Sequence, residues 1–173
     1  MQIKGVTIRD TFAEAFTLYG TRLIITAMDR RWALEAARSV TGFATSIIGC
    51  GCEAGIEREL AGDETPDGRP GVAVLIFSFS PADLEKQLVV RLGQSIMTCP
   101  TTACYNGLFT EERLPVGGKI RFFGDGWQAS KLVGETRYWR IPVMDGEFVV
   151  EESFGYCKGV GGGNFLILAE SQE

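Results

Sequence analysis

The residues whose types and spacing could support chemistry begin with one loop, Pro66-Asp67-Gly68-Arg69. Glycine allows backbone N–H groups to approach a ligand closely, and an arginine guanidinium pairs well with a carboxylate. The same sequence is also typical of an ordinary β-turn with a solvated charge. The loop is therefore either a binding site for a carboxylate-bearing ligand, with Asp67, Gly68 and Arg69 as candidate residues, or a plain turn.

Two further groups of polar residues are candidates for the same kind of site. Glu53, four residues before Glu57 and beside small residues, could supply a buried carboxylate with a raised pKa, although such acids are more often solvated or salt-bridged. Thr101 and Thr102 follow Pro100 and could donate hydroxyl hydrogen bonds, although threonine is also an ordinary strand residue. For both groups the functional and the structural interpretation stay open.

The chain contains no histidine, so proton transfer near neutral pH must use another side chain or a group outside the chain. Its five cysteines are Cys50, Cys52, Cys99, Cys104 and Cys157. The single-residue gap between the first two is atypical of zinc sites, and a nucleophilic cysteine would lack a histidine partner. We therefore expect reduced thiols that pack as small hydrophobic residues and no metal, with a cysteine–metal protein as the weaker alternative.

Composition excludes several other classes of protein. The chain has 173 residues and a net charge of -5, from 17 basic and 22 acidic residues, without the basic cluster that a nucleic-acid groove needs. Its longest apolar run, at residues 72–79, is far shorter than the roughly 20 residues of a membrane span. We expect a folded cytoplasmic protein that binds neither nucleic acid nor membranes.

Capping, turn and periodicity signals predict the order β-α-β-β-α-β between residues 21 and 105. The helices are predicted to begin after Asp29 and Ser80, because both residue types are favoured at helix N-caps. The strands are predicted at 21–27, at 46–48 leading into a glycine-containing turn or second strand at 50–57, at 72–79, and at 97–104 with an interruption at Pro100. This order predicts an α+β fold with a ferredoxin-like split βαβ lobe, in which two crossover helices pack on one face of a four-stranded antiparallel sheet.

After residue 119 the pattern changes to strands without intervening helices. Strand-like runs are predicted at 119–123, 136–141, 147–152 and 164–169. The last run resembles the strand at 23–27, so it is either the first strand of a second copy of the unit or an ordinary C-terminal strand. We therefore predict an N-terminal ferredoxin-like lobe at 1–110 and a β-rich extension at 111–173 that ends in the first strand of a second lobe.

Several segments in collinear order together resemble one known family. They are Gly42 to Ser46, Cys52 to Glu57, Thr65 to Gly71, Arg91 to Gln94, Cys99 to Thr102, Phe122 to Gly126, Ile141 to Phe148 and Gly161 to Phe165. The family is formylmethanofuran:tetrahydromethanopterin formyltransferase, and the Gly49-Cys50-Gly51-Cys52 variant looks closest to its bacterial branch, the D subunit of the formyltransferase/hydrolase complex. The resemblance covers essentially the whole chain.

The resemblance implies an acyltransferase of one-carbon metabolism, in methanogenesis or formaldehyde oxidation. It would move a formyl group between methanofuran and N5 of tetrahydromethanopterin, the two coenzyme substrates, without a prosthetic group. It also implies a homo-oligomer, a dimer or tetramer, and other subunits of a formyltransferase/hydrolase complex as partners.

Family members are roughly twice as long as this chain, so the resemblance assigns it the N-terminal part. The glutamate associated with catalysis in the family belongs to the other half, and no catalytic residue is assigned here. The alternative is a non-catalytic, half-length module that binds a coenzyme or takes part in assembly.

Overall fold

Residues 16–106 form a lobe in which four antiparallel strands and two long helices alternate in the predicted order. The computed structural model describes residues 2–3, 6–7, 14–124, 126–144 and 146–161. The elements of the lobe are β3 (Phe16–Thr26), α1 (Arg30–Thr41), the short α2 (Ile47–Cys50), β4 (Glu53–Leu60), β5 (Gly71–Ser78), α3 (Pro81–Arg91) and β6 (Ala103–Asn106). A two-stranded hairpin, β1 (Gln2–Ile3) with β2 (Val6–Thr7), precedes it.

The strands of the lobe lie in the spatial order β4-β5-β3-β6, and each neighbouring pair is antiparallel. This is the strand order of the split βαβ arrangement, because each helix connects two strands that have a third strand between them. The α+β class predicted from the sequence is therefore confirmed.

Residues after 106 extend the same sheet. The later elements are β7 (Arg113–Pro115), α4 (Gly117–Ile120), β8 (Ala129–Val133), β9 (Thr136–Val143), β10 (Gly146–Glu151), β11 (Ser153–Gly155) and β12 (Cys157–Gly161). The strand β10 adds in parallel to β6, and β9 and β8 follow in antiparallel order. The strand β12 pairs with the first half of β3, and β11 pairs with β7 in a small separate sheet. The predicted boundary at residue 110 stays a prediction.

Helix α1 forms where the sequence places an N-cap before an apolar stripe. The Asp29 carboxylate accepts a hydrogen bond from the backbone N–H of Trp32 at 2.9 Å, which satisfies one of the free N–H groups of the first turn. The stripe residues Ala33, Ala36, Ala37 and Val40 have no exposed surface. Small side chains on this face let the helix lie close to the sheet.

Helix α3 begins at Pro81 after the Ser80 cap, whose hydroxyl accepts from the N–H of Asp83 at 3.1 Å. Its stripe of Leu84 and Leu88 continues into a π-helical turn, Leu92–Ile96. All the leucines and the isoleucine of that stripe are fully buried. The predicted caps and stripes of both long helices are thus confirmed.

Three strand predictions, at 46–48, 97–104 and 119–123, were wrong in whole or in part. Residues 46–48 are not a strand, because Gly51 adopts φ +78° and its N–H donates to the carbonyl of Ile47 at 2.9 Å, which closes the helical turn α2. A short apolar run alone does not distinguish a strand from a helical turn.

The run 97–104 begins as a turn, because the α3 stripe extends into it. The N–H of Met97 donates to the carbonyl of Leu92 at 2.9 Å, and Thr101 adopts φ +64°, so pairing with β3 begins only at Ala103.

The predicted strand at 119–123 is helical instead. The N–H groups of Lys119 and Ile120 donate to the carbonyl of Val116 at 2.9 and 3.2 Å, which forms α4, and a 3-10 turn, Arg121–Phe123, follows. The strands predicted at 136–141 and 147–152 correspond to β9 and β10. The predicted strand at 164–169 lies outside the described residues.

Candidate functional site

The loop between β4 and β5 carries Asp67, Gly68 and Arg69, and its own hydrogen bonds fix its shape. The Thr65 hydroxyl lies 3.0 Å from the carbonyl oxygen of Gly62 and 2.7 Å from that of Arg69. Gly68 adopts φ +75°, a conformation that favours glycine, and the space where a side chain would lie is open. The segment is thus a well-defined loop that leaves the Gly68 backbone accessible.

The Asp67 carboxylate is the centre of a polar network that we call the Asp67 network: Thr26, Asp67, Arg69, Thr101 and Tyr105. One carboxylate oxygen, Oδ2, accepts from the Thr26 hydroxyl at 2.7 Å, from Arg69 Nε at 2.7 Å and from the Tyr105 hydroxyl at 3.0 Å. Its side chain is 20% exposed. Burial alone would raise the pKa of Asp67, but the hydrogen bonds from Thr26 and Arg69 outweigh it and the pKa is lowered. Asp67 is therefore anionic at neutral pH.

Arg69 holds the network together. Besides Asp67, its guanidinium donates to the carbonyl oxygen of Thr101 at 2.6 Å and to the Thr26 hydroxyl oxygen at 3.0 Å. These contacts use three of the five guanidinium N–H groups, one on each nitrogen. Arg69 is thus mainly an organising residue, and among the described residues no hydrogen bond uses the second N–H of either terminal nitrogen.

Thr101 belongs to this network, whereas Thr102 has a different environment. Thr101 adopts φ +64°, and its hydroxyl accepts from the backbone N–H of Met28 at 3.0 Å. The Thr102 hydroxyl instead donates to the carbonyl groups of Ile96 and Cys99, at 2.7 and 2.9 Å, and the residue is 2% exposed. Thr102 therefore closes the turn after α3 and does not face the network.

Glu53 lies away from the other candidates. It begins β4 and pairs with Phe77, whereas the Asp67 loop enters β5 at Gly71. Six residues of strand separate these two positions, or about 20 Å. Glu57, its neighbour in the sequence motif, forms an ion pair with Arg22. The structure therefore brings together Asp67, Gly68, Arg69 and Thr101, and leaves Glu53 and Thr102 outside this group.

Tyr105 and Thr26 complete the network and were missed by sequence reasoning. Both lie in strands, on the sheet face opposite the helices, and each is at least nine-tenths buried. Burial, and next the negative charge of Asp67, raise the pKa of Tyr105 well above its usual value. Its hydroxyl thus stays protonated and donates to Asp67. A threonine directly after the apolar run at residues 23–25 was the only signal that pointed to Thr26.

Two cavities lie at the two ends of the Asp67 network. The first, of about 260 Å³, is lined mainly by apolar and sulfur-containing side chains: Met97, Cys99, Pro100, Phe123, Val143 and Met144, together with Thr98, Thr101, Gly124 and Glu147. The second, of about 320 Å³, is lined by Pro66, Tyr105, Lys131, Val133, Tyr138, Arg140 and Val149. Thr101 lines the first cavity and Tyr105 lines the second, so the Asp67 network contacts both cavities.

The described residues offer no group that would hold a metal ion. Within them, no set of three or more histidine, cysteine or acidic side chains is close enough to bind one, and the cysteines are free thiols. In the same part of the chain, no helix is long and apolar enough to span a membrane.

The chain matches the family model "Formylmethanofuran-tetrahydromethanopterin formyltransferase" over residues 1–143 and the model "FTR, proximal lobe" over residues 146–173. The formylmethanofuran–tetrahydromethanopterin formyltransferase of Methylobacillus flagellatus is 61% identical over 99% of this chain and 58% of that protein. The D subunit of the formyltransferase/hydrolase complex of Methylorubrum extorquens is 53% identical over 96% of this chain and 55% of its own length.

Solved structures agree with the sequence matches. The formyltransferase of Methanosarcina barkeri superposes with a TM-score of 0.91 at 49% identity, covering 99% of this chain and 58% of that one. The formyltransferase/hydrolase complex of Methylorubrum extorquens, solved with methylofuran, gives a TM-score of 0.88 at 52% identity over 94% of this chain and 55% of that one. The chain spans little more than half the length of the curated relatives it matches, and it belongs to the formylmethanofuran:tetrahydromethanopterin formyltransferase family.

Proposed function

We propose that this chain is the N-terminal part of an enzyme that transfers a formyl group between methanofuran and N5 of tetrahydromethanopterin. Its family membership supports the reaction, because relatives 61% and 49% identical carry that name. The single observation that carries the site assignment is the Asp67 network, which has an anionic centre and reaches a cavity at each end. Two adjacent cavities suit a reaction with two coenzyme substrates.

The reaction itself explains what such a site must provide. The attacking amine nitrogen forms a bond to the formyl carbon, the carbonyl electrons move onto oxygen, and a tetrahedral intermediate results. A proton then passes from the attacking nitrogen to the leaving nitrogen as the old C–N bond breaks. The site must therefore stabilise an oxyanion and move one proton between two nitrogens, which requires hydrogen-bond donors and an acid–base group but no prosthetic group.

The described residues supply binding and positioning rather than the complete chemistry. We propose Asp67, Gly68, Arg69 and Thr101 as substrate-binding residues, with Tyr105 holding Asp67 in place. The open space above Gly68 leaves its backbone accessible to a ligand, and the two remaining N–H groups of Arg69 suit a carboxylate or carbonyl oxygen. We propose that the acid–base group lies outside the described residues.

Assembly is part of the same proposal. A relative 53% identical is named as the D subunit of a formyltransferase/hydrolase complex, which supports partner subunits for this protein too. We propose a homo-oligomer that works with such subunits.

The test is formyl transfer by the full-length protein, measured with both coenzymes for the wild type, Arg69→Lys and Arg38→Lys. Lysine keeps the charge of Arg69, but its single ammonium nitrogen cannot reach the three separate acceptors that the guanidinium contacts from its three nitrogens, so we expect kcat/KM to fall at least tenfold. Arg38 is a matched control, because its side chain is 63% exposed and its ion pair among the described residues is with Glu35 on its own helix. Absence of transfer by the wild-type protein would refute the function, and equal kinetics of all three proteins would refute the site.

A further inference from the structure

The second cavity has walls of two kinds, cationic and aromatic. The strand register explains why they meet: Lys131 of β8 pairs with Tyr138 of β9, and Arg140 of β9 pairs with Val149 of β10. Directly paired residues lie on one face of a sheet, and so do residues two apart on a strand. Tyr105 of β6 joins them across β10.

The charge of this cavity is opposite to that of the whole chain. The protein has a net charge of -5, yet the two charged residues that line this cavity, Lys131 and Arg140, are both basic. Arg140 donates to a single carboxylate oxygen of Glu147, at 2.8 and 2.6 Å, in a pair whose side chains are 50% and 43% exposed. Exposed ion pairs of this kind are weak, so a ligand can compete for the guanidinium.

Lys131 is unpaired within the part of the chain that the structure describes, where its ammonium group has no hydrogen bond or ion pair. An ammonium group held at a cavity wall, beside a weakly engaged guanidinium, forms a place for a negatively charged group. The polar wall therefore favours an anion.

The remaining walls favour a ring. The ring centroids of Tyr105 and Tyr138 are 6.0 Å apart and the ring planes meet at 67°, so the edge-to-face pair forms a corner. Val133, Val149 and Pro66 add apolar surface. A cavity of about 320 Å³ is large enough for one ring and a short substituent.

We infer that the second cavity binds the part of a coenzyme substrate in which an aromatic ring carries a carboxylate-bearing side chain, with the carboxylate on Lys131 and Arg140 and the ring against Tyr105 and Tyr138. This inference rests on the proposed function for the identity of the ligand, but not for the chemistry of the cavity. It assigns the carboxylate to Lys131 and Arg140, which line the second cavity, whereas Arg69 is not among the residues that line it.

The test titrates N-benzoyl-L-glutamate, a ring with two carboxylates, into the full chain and follows the backbone amide resonances by NMR. The neutral diamide of the same compound and inorganic phosphate serve as parallel probes. We expect the dicarboxylate to bind at least fivefold more tightly than either, with the largest shifts at Tyr105, Tyr138 and Lys131. Equal binding of the diamide, or larger shifts elsewhere, would overturn the inference. Tighter binding of phosphate would also overturn it, because the ring would then contribute nothing.

The variants Lys131→Ala and Arg137→Ala distinguish binding in the second cavity from non-specific attraction by the positive charge of β8 and β9. Arg137 adjoins Tyr138 on β9, so it lies on the opposite face, where it donates to Ser130. We expect Lys131→Ala to weaken dicarboxylate binding about fivefold and Arg137→Ala to change it less than twofold. Similar losses in both variants would show non-specific attraction and would overturn the assignment.

A failure of this inference can be distinguished from a failure of the proposed function. If the full-length protein transfers formyl groups but the probe does not depend on Lys131, only the cavity assignment is wrong. If the probe binds as expected but no transfer occurs, the cavity assignment stands as an anionic ring site and the proposed reaction fails.

Discussion

The two faces of the central sheet differ in what they hold. The face under α1 and α3 is a dry core, where Leu23, Ile25, Val72, Val74 and Ile76 have no exposed surface. The opposite face carries the Asp67 network, the Tyr105–Tyr138 pair and the second cavity. Both faces use the same strands, since successive residues point to opposite sides.

This difference suggests that one face of the sheet stabilises the fold and the other face binds ligands. Apolar burial on the helical face stabilises the fold, because that face excludes water from large side chains. The open face has hydrogen-bonded polar groups at the edges of cavities, an arrangement suited to ligands. Substitutions on the first face should therefore change stability most, and those on the second face should change binding more than stability.

The largest expected effect is in the helical core. Leu88 in α3 is fully buried, and Leu88→Ala should lower the free energy of unfolding by about 2–5 kcal/mol through lost transfer energy and the cavity that remains. Val90→Ala on the same helix is the control, because Val90 is 56% exposed and should change stability by less than about 0.5 kcal/mol. Urea unfolding measures both, and equal losses would contradict the assignment of stability to this face.

The next effect is at Asp67 and depends on pH. Asp67→Asn removes the negative charge of a carboxylate whose Oδ2 accepts three hydrogen bonds. We expect the free energy of unfolding to fall by about 1–3 kcal/mol at pH 7. Because the folded pKa of Asp67 is lowered, its contribution is complete above the unfolded pKa of about 3.9 and is lost as pH falls through the folded value.

The stability difference between wild type and Asp67→Asn should thus be constant from pH 7 to 5 and shrink at lower pH. Urea unfolding of both proteins at pH 7, 5 and 3 measures it. A difference that grew as the pH fell would mean that the native carboxylate has a raised pKa, contrary to the network described.

A smaller effect is expected at Tyr105. Tyr105→Phe keeps the ring against Tyr138 but removes one hydrogen-bond donor to Asp67. It should lower the free energy of unfolding, measured in urea, by about 0.5–1.5 kcal/mol. Tyr138→Phe is the matched control on the other ring of the pair and should be close to neutral. If Tyr138→Phe destabilised the protein more, the tyrosine that supports the network would have been misidentified.

The smallest effect is expected at Glu53. It is one of the sequence candidates, yet it lies at the far end of β5 from the Asp67 loop. Glu53→Gln should change both the unfolding free energy and coenzyme affinity by less than about 0.5 kcal/mol. A tenfold loss of coenzyme affinity in calorimetry would mean that the ligand also contacts Glu53, and it would contradict the placement of Glu53 outside the site.

Local signals predicted the helical face well. The Asp29 and Ser80 caps and the alanine and leucine stripes are short-range features, and each was confirmed. The errors at 46–48 and 119–123 have a common cause: a short segment with a few apolar residues becomes a strand only if a partner strand is available, and that is a long-range property.

The open face was harder to predict for the same reason. The Asp67 loop and Thr101 were recognisable from glycine, arginine and threonine patterns. Their partners Thr26 and Tyr105 are 41 and 38 residues from Asp67 in the chain and meet it only through strand pairing. The candidates Glu53 and Thr102 had comparable local patterns, but the register of β4 and the turn after α3 place them elsewhere.

The most direct test of the division between the two faces is calorimetric titration of the full-length protein with methanofuran and tetrahydromethanopterin. It compares the wild type with Arg69→Ala and Leu88→Ala, at a temperature where all three are folded. We predict that Arg69→Ala weakens at least one coenzyme tenfold or more, while Leu88→Ala, although less stable, changes both affinities less than twofold. Unchanged affinities in Arg69→Ala, or an equal loss in Leu88→Ala, would contradict the placement of the coenzyme site on the open face.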